Sequence, residues 1–148
     1  IQMMMTGIKK RFDMEQIKDY PPNYEAILKA FPAVKKKHGV LFCYGRQIYN
    51  PDGIKIDAPI MHHEATHSIQ QDKMGPYKWW KKYLKDKDFR MKEELQAYAN
   101  QYKLFIKMFP NEYDKQIVYL HQLASSMSSE IYGEMLPYSE AKVLIKSL

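Results

Sequence analysis

In the first third of the chain the apolar positions fall into short runs. Residues 23–31 place their apolar side chains on one side of a short helix, which Pro32 ends. The run GVLFCYG at 39–45 has the length of a strand. Residues 46–56 predict two extended pieces joined by a turn at 51–53, where Pro, Asp and Gly stand together. These runs predict a small antiparallel sheet.

The rest of the chain has apolar positions at helical spacing. Asp57 suits the N-cap of a helix with Pro59 in its first turn, and Gly75 followed by Pro76 suits its end. Further helices are predicted at 76–86, 88–109, 111–127 and 139–147, the last opened by Ser139. A helix, a small sheet and then several helices indicate the α+β class.

Composition narrows the class of protein. The chain has 148 residues, of which 45% are hydrophobic, which fits one domain spanning residues 1–148. A net charge of +6 is compatible with nucleic acid, anionic surfaces or acidic substrates. The single cysteine, Cys43, can form no internal disulfide and is expected in the core, which favours a reduced, cytoplasmic setting. No apolar run has the length of a membrane span, and the start IQMMMTGIKKRF has charges after its apolar part, unlike a secretory signal.

The stretch His63-Glu64-Ala65-Thr66-His67 carries candidate chemistry. On a helix, two histidines four residues apart project from one face and can bind one zinc ion. Glu64 points in a different direction from the two histidines, and its carboxylate can there accept a proton from a zinc-activated water. The alternative is a polar helix whose histidines form only local hydrogen bonds.

A catalytic zinc site needs a third protein ligand, and the helix predicted at 88–109 offers one. Glu94 is followed one turn later by Ala97 and Tyr98, and a small residue at 97 lets this helix approach the first closely. Glu93 would face about 100° away and is the weaker candidate. The sequence therefore predicts His63, His67 and Glu94 as the ligands.

The two motifs together resemble the gluzincin class of zinc metallopeptidases, especially its compact single-domain minigluzincin members, and small HExxH proteins of phages and bacteria. This resemblance spans roughly residues 38 to 105 and implies a zincin-like fold, with the small sheet packed on the HExxH helix and on the following glutamate helix. It also implies a sheet edge strand above the metal, where an extended peptide can pair. The further segments that carry it are Ile48-Tyr49-Asn50-Pro51-Asp52-Gly53, Gln70-Gln71 and Trp79-Trp80.

Other polar and aromatic residues have two interpretations each. Tyr98 can contact the ligand Glu94 or stabilise an oxyanion, although core packing is the commoner role. His121 is a candidate oxyanion donor, yet a lone helical histidine is more often structural. His62 is expected to be structural or exposed. Trp79 and Trp80 among lysines can stack on nucleic-acid bases, but we favour a buried aromatic face and a solvated lysine face.

These inferences predict a small zinc-dependent metallopeptidase of peptide or protein substrates. Glu64 is the predicted general base, and Tyr98 is a second candidate catalytic residue. The alternative is a non-enzymatic protein that zinc only stabilises, for instance one associated with a phage particle. A basic nucleic-acid binder is a third, less favoured, interpretation.

Overall fold

The computed structural model describes residues 14–148 and is mixed α+β, as the sequence predicted. Two short 3₁₀ helices lie at Pro32–Lys36 and Glu130–Tyr132. The strands are β1 (Glu15–Ile17), β2 (Phe42–Tyr44) and β3 (Gln47–Tyr49). The helices are α1 (Tyr24–Ala30), α2 (Ala58–Asp72), α3 (Pro76–Lys85), α4 (Lys87–Met108), α5 (Tyr113–Met127) and α6 (Tyr138–Ser147).

The sheet is mixed, so the prediction of an antiparallel sheet was wrong in part. Its strand order is β1-β3-β2, with β2 antiparallel and β1 parallel to β3. The strand β1 has only three residues and precedes α1, so it has no hydrophobic run by which it could be recognised. A parallel partner also needs a long connection, here the segment that includes α1 and β2, which no local pattern reveals.

The hairpin turn lies at Gly45 and Arg46, not at Pro51-Asp52-Gly53. Gly45 has a φ of 64°, which the first position of a tight hairpin turn requires and which glycine adopts without strain. The turn predicted at 51–53 does exist, but residues 54–56 after it form no strand. The Asn50 side chain binds both the N–H and the C=O of Ile54 instead, at 3.0 and 2.8 Å.

The helix boundaries follow the predicted signals closely. The Asp57 side chain caps α2 by accepting a 3.0 Å hydrogen bond from the N–H of Ile60. Gly75 lies beyond the end of α2 with a φ of 85°. The last helix differs slightly, because α6 begins at Tyr138 after Pro137 and Ser139 is not its cap.

The helices α2 and α4, which carry the predicted ligands, form the most extensive contact between two elements of the described chain. Ten of the fifteen residues of α2 are buried, and polar side chains are among them, so α2 lies inside the protein. The helices α5 and α6 pack on α4 from another side, around Leu120, Met127 and Ile145. No described helix is both long enough and apolar enough to cross a bilayer.

The packing of α5 and α6 on α4 can be tested at Met127, which is 0% exposed. We expect Met127→Ala to lower the free energy of unfolding by about 2–5 kcal/mol, because it removes buried contacts and leaves a cavity. Val143→Ala on α6, where the side chain is 65% exposed, should change it by less than about 0.5 kcal/mol. Urea unfolding of the two variants checks this, and equal effects would contradict the core assignment.

Candidate metal centre

The structure brings the three predicted ligands together. His63 and His67 project from one face of α2, and Glu94 reaches them from α4. All three side chains are buried, with at most 7% of each exposed. Ala97, one turn after Glu94, is 0% exposed, as expected for a small residue between tightly packed elements.

The three donor atoms form a nearly equilateral triangle. The Nε2 atoms of His63 and His67 are 3.2 Å apart, and Glu94 Oε1 lies 3.2 and 3.1 Å from them. Donors that share one tetrahedral ion, with bonds of about 2.0–2.1 Å, lie about 3.3 Å apart. The group can therefore hold a metal ion with little movement of its side chains.

The far side of each histidine is held by a glutamine. His67 Nδ1 lies 2.9 Å from Gln70 Oε1, and His63 Nδ1 lies 2.9 Å from Gln101 Oε1. The Gln70 amide nitrogen donates to the carbonyl of Glu93 at 3.0 Å, so its oxygen must face His67 and accept from Nδ1–H. With Nδ1 protonated, Nε2 of the neutral ring is the nitrogen that could bind a metal ion.

Gln70 is therefore expected to support metal affinity without touching the ion. We expect Gln70→Met to weaken metal binding by about 10–100-fold, as losses of such supporting hydrogen bonds do. Gln71→Met is the matched control, since buried Gln71 binds the backbone of Gly45 and Cys43 and no ligand. Competition titrations against a chelating dye measure both, and equal losses would assign the effect to general destabilisation.

The charges of the metal-free site are coupled. Burial alone would lower the pKa of His67, but the Glu94 carboxylate beside it raises that pKa to about 9. Burial would raise the pKa of Glu94, and the two histidines hold it well below its usual range instead. Because the His67 pKa lies above its ordinary 6.5, this pair stabilises the metal-free fold below pH 6.5 and ceases to do so as the pH rises through about 9.

A metal ion must displace the proton of His67. We expect binding near pH 7.5 to release the proton of His67, in addition to any proton that a metal-bound water loses, and the His67 contribution to disappear once the pH is well above 9. Calorimetric titration in buffers of different ionisation enthalpy measures the number released. A heat of binding that does not depend on the buffer at pH 7.5 would contradict the predicted protonation of His67.

Glu64 lies beside the triangle and is only 6% exposed. Its carboxylate makes no hydrogen bond to the part of the chain that the structure describes, although it lines a cavity shared with all three ligands. Burial raises the pKa of Glu64, against the opposing effect of His63 and His67. A carboxylate with a raised pKa and no partner is suited to take up and return a proton.

The cavity that contains these groups is also lined by apolar side chains. These side chains come from α1, the first 3₁₀ helix, the approach to β2 and the second 3₁₀ helix, and they are Ile27, Phe31, Val34, Leu41, Phe42 and Ile131. Trp79, Trp80 and Tyr83 of α3 also line it. The cavity thus places Glu64 and the three candidate ligands beside a set of apolar side chains.

Three tyrosines surround Glu94, and pattern analysis singled out only Tyr98. The Tyr98 ring contacts the His63 ring at 4.4 Å between centroids, and its hydroxyl lies 2.7 Å from that of Tyr132. Tyr132 lines the cavity itself. The Tyr83 hydroxyl donates a 2.6 Å hydrogen bond to Glu94 Oε2, and burial raises the pKa of Tyr83, so the proton stays on this donor. Gln70 belongs to the Gln70-Gln71 pair of the family resemblance, whereas Gln101, Tyr83 and Tyr132 lack a motif by which a sequence could mark them.

The other candidate functional residues make structural contacts. Trp79 and Trp80 are 1% and 8% exposed, so the favoured core interpretation is confirmed and neither ring is open to a stacked base. The weaker ligand candidate, Glu93, accepts a 3.0 Å hydrogen bond from Trp79 Nε1. His121 contacts the hydroxyl of Tyr138 and does not line the cavity. His62 is partly buried and its main-chain carbonyl accepts from Thr66.

The edge strand beside the metal ligands is β2, and part of its edge is already bonded. The carbonyl of Cys43 accepts hydrogen bonds from Trp80 Nε1 at 2.9 Å and from Gln71 Nε2 at 2.8 Å. Main-chain groups on one edge of a strand recur every second residue, and Leu41 is the next such position. An extended peptide paired with this edge is therefore expected to bind at Leu41, which lines the cavity.

The site can be compared with known proteins only through its chemistry. Comparison of this chain with protein-family models, with curated proteins and with solved structures gives no match. The assignment of function therefore depends on the arrangement of His63, His67, Glu94 and Glu64.

Proposed function

We propose that the chain is a zinc-dependent metallopeptidase of gluzincin type, in which His63, His67 and Glu94 bind the metal and Glu64 is the general base. One observation carries the proposal. Three buried donor atoms lie 3.1–3.2 Å apart beside a buried carboxylate that has no partner among the described residues. A purely structural helix has no need of either arrangement.

The donor set favours zinc among the divalent ions. Two imidazole nitrogens and one carboxylate oxygen form one of the usual catalytic zinc sets, whereas magnesium and calcium prefer oxygen ligands alone. Structural zinc sites commonly have four protein ligands. Three ligands next to a cavity therefore favour a catalytic site over a structural one.

The chain's own groups supply the proton transfers of amide hydrolysis. Zinc at this site would lower the pKa of a water towards about 7 and polarise the substrate carbonyl. Glu64 accepts the proton of the attacking water and returns it to the leaving amine. Tyr83 keeps Glu94 oriented, and the glutamines keep both histidines oriented, so that the site is assembled before substrate arrives. Tyr98 and Tyr132 are the nearest hydroxyl candidates for an oxyanion donor.

The test is peptide cleavage by the zinc-loaded chain. We expect one zinc per chain, cleavage of a subset of a mixed peptide library, and loss of that cleavage when a chelator removes the metal. Mass spectrometry of the products identifies the bonds that are cut. No cleavage across the library by fully loaded protein would reject the peptidase and leave the alternative of a zinc-stabilised, non-enzymatic protein.

A further inference from the structure

Two elements that wall the cavity have lysine-rich outer faces. The first 3₁₀ helix places Val34 inside the cavity, while Lys35, Lys36 and the following Lys37 are exposed. The helix α3 places Trp79, Trp80 and Tyr83 inside, and it exposes Tyr77 together with four lysines, which are Lys78, Lys81, Lys82 and Lys85. These two elements, with the residue that follows the first of them, therefore carry seven exposed positive charges on the outside of the cavity wall.

Within residues 14–148, no carboxylate pairs with these lysines. Neither element contains an acidic residue. The nearest acid after α3 is Asp86, which caps α4 through the N–H of Phe89. A cavity between uncompensated charges of one sign attracts ligands of the opposite sign and raises their rate of association.

The interior of the cavity decides which kind of anion fits. Most of its lining is apolar, and Trp79, Trp80 and Tyr83 pack there in one cluster with Ile27, Phe31 and Val34. Single-stranded nucleic acid binds by stacking successive bases on aromatic rings along a basic groove, and of the aromatic rings of α3 only that of Tyr77 is exposed. One exposed ring does not form such a row, whereas an apolar lining between elements with lysine-rich outer faces suits a polypeptide that inserts one apolar side chain and carries carboxylates on either side.

We propose that the substrates are acidic polypeptide segments that contain a bulky apolar residue, which binds against Ile27, Phe31 and Val34 while the flanking carboxylates face the two lysine surfaces. This inference rests on the proposed function and adds the class of substrate to it. It predicts that binding weakens with salt, because the screening length falls from about 30 Å at 0.01 M to about 8 Å at 0.15 M ionic strength.

The experiment measures binding separately from cleavage. The probes are three fluorescent octapeptides: one leucine flanked by Asp and Glu, the same peptide with serine for leucine, and the same peptide with lysine flanks. Their affinities for zinc-loaded Glu64→Gln are measured by anisotropy at low salt. We expect the acidic leucine peptide to bind at least about tenfold more tightly than the other two. Equal affinity for acidic and basic flanks, or for leucine and serine, would overturn the proposal.

Charge reversal locates the binding surface. The triple variant Lys78→Glu, Lys81→Glu, Lys85→Glu should lose at least about tenfold in affinity for the acidic leucine peptide. A control with the same change in charge is Lys55→Glu, Lys103→Glu, Lys146→Glu, whose exposed lysines do not line the cavity, and it should lose less than about threefold. Equal losses in the two triple variants would overturn the assignment to acidic peptides. So would displacement of the labelled peptide by oligothymidylate at a lower concentration than the unlabelled acidic leucine peptide requires.

The outcomes also separate the two proposals. Charge-selective binding to Glu64→Gln, without cleavage of any peptide by the parent chain, would reject the peptidase and retain the acidic-peptide site. Cleavage by the parent chain that is indifferent to flanking charge would retain the peptidase and reject this substrate class.

Discussion

The Glu64→Gln variant is expected to bind zinc as the parent chain does and to cleave peptides about 10²–10⁴-fold more slowly. Glutamine keeps the size of the side chain but cannot accept the proton of the attacking water. Glu64 does not belong to the metal-binding triangle, so the substitution leaves all three donor atoms in place. The measurement is kcat/KM on the best library peptide, beside the zinc content of the same sample.

Glu93→Gln is the matched control for this prediction. Glu93 is also a glutamate close to the site, but its carboxylate accepts from Trp79 and the amide oxygen of glutamine can do the same. We expect its activity to stay within about threefold of the parent, as for a substitution that touches no reacting group. Parent-like cleavage by Glu64→Gln would remove Glu64 from the mechanism, whatever the control does.

The second large effect is expected on the metal itself. Replacing Glu94 by alanine removes the only negatively charged ligand and leaves two histidines, so zinc affinity should fall by more than the roughly 100-fold that loss of a supporting contact can cost. The hydroxyl of Tyr83 also loses its acceptor, Glu94 Oε2. Zinc content after dialysis and a dye-competition titration measure the loss.

Glu93→Ala distinguishes a ligand from a neighbour on the same helix. It removes a carboxylate one position away and opens the hydrogen bond to Trp79, yet it takes no donor from the triangle. Zinc affinity should stay within about tenfold of the parent, because only an outer contact is lost. If Glu94→Ala retained full affinity, or if both variants lost it equally, Glu94 would not be the third ligand.

The donor triangle could be predicted from the sequence because helical geometry selects its members. Two histidines four residues apart must share a face of α2, and the 100° between successive residues of α4 allows only one of Glu93 and Glu94 to face them. The small Ala97 one turn after Glu94 favoured Glu94. The structure places Glu94 with the histidines and directs Glu93 to Trp79. Residue type and helical periodicity were sufficient to predict a ligand wherever a single helix determined the direction of its side chain.

The residues that support the site could not be predicted, since their roles depend on how separate elements cross. Gln101 contacts a histidine 38 positions earlier, and Tyr132 enters the cavity from a short 3₁₀ helix near the end of the chain. The strand β1 was missed for the same reason, because its partner β3 lies beyond α1 and β2. Local patterns carry no information on such distant pairings.

The bonded carbonyl of Cys43 has a consequence for how copies of this chain behave towards one another. Strand edges with unpaired main-chain groups are templates on which strands of other molecules assemble into aggregates. On β2 the indole of Trp80 and the amide of Gln71 already occupy this carbonyl, whose two lone pairs are then both used. We therefore expect the edge to accept one short peptide near Leu41 but not to propagate a continuous intermolecular sheet.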